Sequence, residues 1–185
     1  MSLHRKKIRA ALVTKLTSHT DAGNRVYASR VKPIWNDTYP LILIQTNNES
    51  IETFNQAPKE YKRTLQIEIQ IMAEAVTTGA IDDILDTVGA QVEARLYEEG
   101  TQLFDEDDNE LCEEVALRGA EMVIDKEGDR LYGVLSLNYE VVYYTEPICD
   151  ASELEWLDTV HVDYDLEETP SGVGPEDDLT DLSGL

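Results

Sequence analysis

Between Tyr61 and Glu74 the chain alternates almost without a fault. Leu65, Ile67, Ile69 and Ile71 fall on one side, and Thr64, Gln66, Glu68 and Gln70 on the other. Successive side chains of a strand point to opposite faces, so this segment predicts a β-strand with one buried and one polar face. A strand of that kind needs apolar cover from other parts of the chain.

Two amphipathic segments offer it. In residues 3–17, Leu3, Ile8, Ala11, Leu12 and Leu16 gather on or near one helical face, and the polar run Thr17–Asn24 ends the pattern. In Ala80–Glu98, Ile81, Ile84, Leu85, Val88, Val92 and Leu96 trace a second stripe, with Asp82, Asp83, Asp86 and Glu93 facing outward. Gly89 interrupts that helix at a cost of about 1 kcal/mol relative to Ala, which a close approach of another backbone would explain.

The remaining segments read as strands. Asn24–Val31 is rich in β-formers, and Pro33 bars a regular central strand there. Pro40–Thr46 is nearly continuous in apolar residues, as in a strand buried on both faces. The polar stretch Asn47–Tyr61 reads as a long loop or an extended hairpin tip. Residues 115–124 suggest a strand broken at Gly119, Asp125–Asp129 a turn, and Leu131–Tyr144 a second alternating strand. That strand carries Leu135, Leu137, Tyr139, Val141 and Tyr143 on one face. The order is helix, three strands, helix, two strands. This predicts an α+β fold, a mainly antiparallel sheet with two helices packed on one face.

The domain so read covers 1–146. Residues 147–168 form an extended acidic arm in which Val160, Val162, Tyr164 and Leu166 alternate with His161, Asp163 and Asp165, a possible added strand. Residues 169–185 are acidic and turn-rich, a composition expected to be disordered in isolation.

Charge narrows the function. The 185 residues hold 15 Lys+Arg and 38 Asp+Glu, a formal charge of -23. This argues against coating nucleic acid or an anionic membrane. The charge is unevenly placed. Residues 1–35 carry eight basic residues against Asp21, a net +7, whereas fourteen acids and no base follow Arg130. A basic head and an acidic end suit attraction between copies or to a polar partner, or else simply a solvated surface.

Catalytic patterns are missing. Asp105, Asp107 and Asn109 have the spacing that opens a calcium loop, but Glu110 stands where the turn glycine belongs and Ala116 where the closing Glu belongs. His4, His19 and His161 are scattered, and no phosphate-binding glycine loop or nucleophile elbow occurs. Cys112 reads as a buried strand residue, and with Cys149 as a reduced thiol of a cytoplasmic product. Met1–Lys7 lacks the apolar core of a signal peptide, so Asn36 and Asn48, although in glycosylation sequons, carry no weight. The expectation is a protein without enzymatic activity, cofactor or metal.

The series HRKKIRAALVTKL (His4–Leu16), AGNRVYASRVKPI (Ala22–Ile34), YPLILIQT (Tyr39–Thr46), YKRTLQIEIQIMAE (Tyr61–Glu74), IDDILDTVGAQVEARL (Ile81–Leu96) and LYGVLSLNYEVVYY (Leu131–Tyr144) resembles the tail terminator proteins of long-tailed bacteriophages. That family includes the minor tail protein U of lambda-like phages. The likeness covers roughly residues 3–146 and consists of element order and hydrophobic pattern. It implies a structural virion protein, assembled in the host cytoplasm, that forms a six-fold ring on the finished tail tube. Such a ring stops polymerisation of the major tail protein, presents a surface to the head–tail connector and passes DNA through its lumen.

On that reading Arg5, Lys6, Arg9, Arg25 and Arg30 form a basic subunit interface, and Phe54, Tyr61, Lys62 and Arg63 meet the tube or a neighbour. Phe54 has no local apolar pattern to join and either meets the tube or folds back on its own domain. Trp156, Val160, Val162 and Tyr164 belong to the arm, with Trp156 either its anchor or a cap on the core. Trp35, beside Pro33, reads as core edge. Three other readings stand beside this one: another neck or tail-completion protein, an acidic DNA mimic that occupies a nucleic-acid-binding enzyme, and a metal-dependent hydrolase.

Overall fold

Ile8, Leu12 and Leu16 recur every fourth residue, and all three are buried on the inner side of α1, Leu3–Leu16. The helix ends where Ser18 turns into the left-handed region and Gly23 follows at positive φ. Thr17 closes the last turn by donating its hydroxyl to the carbonyl of Val13. The computed structural model describes residues 3–28, 38–97, 102–105, 107–127 and 130–147, all of which belong to one unit, Met1–Ile148.

After α1 come β1 (Val26–Ala28), β2 (Leu41–Gln56), β3 (Lys59–Ala75), α2 (Thr78–Tyr97), β4 (Glu114–Glu127) and β5 (Arg130–Thr145). The five strands form one sheet in the order β1-β2-β3-β5-β4. Only the β1–β2 pair is parallel. Both helices lie on the same face: α1 packs on β1 and β2, α2 on β3 and β5, and the helices touch each other. The fold is the α+β arrangement expected from the alternation in β3 and the two helical stripes.

β3 keeps its alternation from Leu65 to Ala73. Leu65, Ile67, Ile69 and Ile71 are buried beneath the helices, while Gln66 is exposed and Glu68 and Gln70 are half-buried on the open face. Across the ladder, Ile67 pairs with Tyr139, Ile69 with Leu137 and Ile71 with Leu135, which continues the apolar layer onto β5. Leu41 to Ile44 are buried on both faces, as their unbroken apolar run requires.

Of the two readings of the polar run after Thr46, the extended hairpin is the one formed, because β2 continues to Gln56 and returns as β3 through the two residues Ala57 and Pro58. Three features differ from the expectations. Gly119 does not break β4. A register shift between Leu117 and Gly119 inserts a bulge, so Val115 and Leu117 lie on the helix side before it and Ala120, Met122 and Ile124 after it. Asp125 and Lys126 belong to the strand, paired with Tyr132 and Leu131, and are not turn residues. Cys112 is buried as expected, but it precedes β4 and is not part of it.

Two glycines set the distance between α2 and the sheet. A Cβ on Gly133 would lie 2.4 Å from Ile81 Cγ2 and 2.8 Å from Leu85 Cδ1. A Cβ on Gly89 would meet Leu135 Cδ2 at 2.9 Å, so the close approach expected there is to a side chain and not to another backbone. Thr77 caps α2 by accepting the Ala80 N–H on its hydroxyl at 3.3 Å.

Candidate assembly surfaces

β2 and β3 run on past the end of the helix layer, and from Glu52 to Lys59 every residue of this hairpin is exposed. Apolar residues persist there despite the exposure. Ile51 is 51% exposed and Phe54 60% exposed. Phe54 packs edge-on against Tyr144 of β5 with ring centroids 4.8 Å apart. It therefore leans on its own domain and still shows most of its ring to solvent. The Lys59 ammonium lies 5.5 Å from the centre of the Tyr61 ring, a cation–π contact at the tip. Lys62 is half-buried and pairs across the ladders with Glu52 and Tyr144.

Arg63 is held at the root of the hairpin. Its Nη1 donates to Glu49 Oε2 at 3.2 Å and its Nε to Thr145 Oγ1 at 2.7 Å. Tyr143 donates its hydroxyl to the other oxygen of Glu49. Burial, and then the Glu49 carboxylate, push the Tyr143 phenol well above its usual pKa. His4 of α1 stacks on Tyr143 at 4.6 Å, and its Nε2 donates to the Leu111 carbonyl at 2.8 Å. The hairpin is thus pinned at its base to β5 and α1, which leaves its tip as the free part.

The basic front is less open than the sequence suggests. Arg9 donates to Thr46 Oγ1 at 2.7 Å. Arg25 donates to the carbonyls of Pro40 and Asp21, at 2.8 and 3.1 Å. Arg5 is half-buried, with its Nε shielded from solvent and without a hydrogen-bond partner. Lys7 pairs with Asp105 at 2.9 Å. Lys6 remains as an exposed cation on α1. Arg30, Trp35, Trp156, Val160, Val162 and Tyr164 lie outside the described residues.

The Asp105 carboxylate is held well below the usual carboxylate range, first by Lys7, then by the Asn109 N–H, with the Asn109 side chain and the Asp107 N–H adding to it. Asp105 therefore organises the loop that read as half a calcium motif. Between this loop and α1 lies a groove of about 510 Å³ whose lining includes Lys15, His19, Arg95 and Phe104. Among the described residues, no group of three His, Cys, Asp or Glu side chains is placed to hold a metal ion.

A second surface is barely marked in the sequence. β4 is an edge strand, paired on one side with β5 and on the other with no strand among the described residues. An apolar groove of about 310 Å³ lies between it and the end of α2, lined by Ala94, Leu96, Tyr97, Val115, Leu117 and Tyr139, with Glu93 at its margin. Tyr97 is 79% exposed and Leu117 38% exposed, whereas Tyr139 is only 5% exposed and its hydroxyl is buried without a partner. Burial raises the Tyr139 phenol well above its usual pKa. The one clue in the sequence is Tyr97, an aromatic ring at the solvent end of α2, where the stripe predicts only Leu96 inside.

No family model matches the chain, and no curated protein matches it. Among solved structures, the chain is similar to one in the virion of a native gene transfer agent (GTA) particle, with 13% sequence identity and a TM-score of 0.47. The likeness covers 77% of this chain and 100% of that one.

Proposed function

We propose that this protein is a structural, non-enzymatic component of a phage virion, and specifically a tail terminator. It joins copies of itself into a ring on the end of the tail tube, stops addition of major tail protein and offers its far side to the head–tail connector. DNA passes through the lumen of the ring without a binding site. The element order that resembles the terminator family supports this reading. The observation that carries it is the β2–β3 hairpin, an extension anchored at its root by Arg63, Glu49 and Tyr143 and exposing Phe54 and Ile51 where no core of its own needs them. Apolar side chains held out on a braced hairpin are a contact element for another protein. The acidic balance of the chain beyond residue 35 suits a lumen that repels DNA and keeps it moving.

The test is tail-tube polymerisation with purified major tail protein, with tube length read by electron microscopy. The protein caps tubes and shortens them. Phe54→Ala removes a side chain that is 60% exposed, so it lowers capping with little effect on thermal stability. Tubes whose length is unaffected by the unmodified protein would end the proposal.

A further inference from the structure

Among the described residues the sheet is open at both sides, and the two openings match. On one side β4 offers the 14 residues Glu114–Glu127 as an edge with no strand beside it among the described residues. On the other, β1 covers β2 only at Ile42, Leu43 and Ile44, which leaves the edge from Gln45 to Gln56 with no strand beside it among the described residues. An uncovered edge is a row of unpaired N–H and C=O groups, a template for another strand. β4 is antiparallel to β5, β5 to β3 and β3 to β2, so β4 and β2 of one chain run in opposite directions. A second copy set beside the first in the same orientation therefore brings its β2 antiparallel to β4. Such a junction uses different surfaces on the two copies and repeats head to tail, as a ring requires.

The groove beside β4 supplies the specificity. Val115 and Leu117 project from β4 toward the helix layer, beneath Tyr97 and next to the unpartnered Tyr139 hydroxyl. On β2, Ile51 pairs with Arg63, whose alternation with Leu65 places Ile51 on the same side of the sheet, with Thr53 two residues on. Ile51 is half exposed in the single chain. A slide of four residues along the strands, from the level of Arg63 to that of Ile67, brings Ile51 beside Leu117. Thr53 then stands near Val115 and brings a hydroxyl to the polar end of the groove. The same slide brings β1 of the incoming copy level with Ile124–Lys126, so the shared ladder runs from Glu114 to Met122 and the two chains part there, clear of the groove.

We infer that the distal half of β2 of one copy adds as an antiparallel strand to the β4 edge of the next, seating Ile51 in the groove between β4 and α2. This seam rests on the ring reading for its closure, and it names the partner as a second copy of this chain. Strand addition supplies affinity through main-chain hydrogen bonds and specificity through the seated side chain.

The experiment uses two variants of the full chain that each add one cysteine, Ile51→Cys and Leu117→Cys, both in a Cys149→Ser background whose remaining native thiol, Cys112, is buried. They are mixed at high concentration and also in the presence of tail tubes, then oxidised and resolved on a non-reducing gel. A disulfide-linked dimer in the mixture and in neither variant alone is the expected result, with Thr53→Cys and Val115→Cys as the neighbouring pair. In parallel, amide exchange of β4 in the unmodified protein slows on assembly. Leu117→Lys keeps the unfolding midpoint of the single chain and abolishes the ring. Rings that form without either crosslink and without protection of β4 would overturn the seam and leave the terminator reading standing. A chain that stays monomeric with and without tubes would overturn both.

Discussion

Gly133→Ala is the most informative single change in the core. The added methyl carbon would sit 2.4 Å from Ile81 Cγ2 and 2.8 Å from Leu85 Cδ1. Both neighbours are fully buried side chains of α2, so neither can swing aside into solvent. Overpacking of this kind costs about 1–3 kcal/mol, and two simultaneous contacts put this site at the upper end. Replacing a strand glycine returns about 0.5–1 kcal/mol of backbone entropy, so the net loss is about 2 kcal/mol. With a urea slope of about 2 kcal/mol/M, the midpoint falls by about 1 M. The melting temperature falls by about 4–8 °C. Gly89→Ala is the matched control. Its added carbon meets a single methyl, Leu135 Cδ2, at 2.9 Å, and the helix gains about 1 kcal/mol of propensity that offsets the contact. The assay is equilibrium urea unfolding of both variants followed by circular dichroism. An unchanged midpoint for Gly133→Ala, or a larger loss for Gly89→Ala, would refute the claim that α2 rests directly on the β5 backbone at Gly133.

Two further predictions concern ionisable groups. Burial pushes the Cys112 thiol up to about 11, so near neutral pH it stays protonated and unreactive in the folded protein. Alkylation mapped by mass spectrometry therefore follows unfolding, and complete labelling of Cys112 within minutes under native conditions would contradict its placement. Asp105 is depressed in the folded chain by Lys7 first, so its contribution to stability is complete above the ordinary carboxylate range and is lost as the pH falls below it. Lys7→Ala raises the Asp105 pKa toward its ordinary value when titrated by NMR, and an unchanged titration would show that the Asn109 contacts alone hold it.

The sequence was most informative where one face of an element is buried and the other is not. β3 from Leu65 onward and β5 from Gly133 to Val141 alternate because the helices cover one side, and the stripes of α1 and α2 answer that same layer. The signal fades along β2 after Thr46, because beyond the helix layer neither face is buried and a strand there carries no periodicity. In β4 the bulge at Leu117/Gly119 exchanges the two faces halfway, so an alternating strand looks broken. The root of the hairpin was not legible at all. Arg63 lies 14 residues from Glu49 and 82 from Thr145, and only the register of three strands brings them together. The basic head was visible as charge, but its partial consumption was not, because Arg9 and Arg25 end on a threonine hydroxyl and on backbone carbonyls that composition does not reveal.

The central claim is that this chain ends a tail tube as a ring of identical subunits. Native mass spectrometry of the protein with and without tail tubes of the major tail protein tests it most directly. The account predicts a closed, symmetric oligomer bound to tube ends, with free protein either in the same ring or as its subunit. A strict monomer that neither binds tubes nor joins a ring in their presence would contradict it.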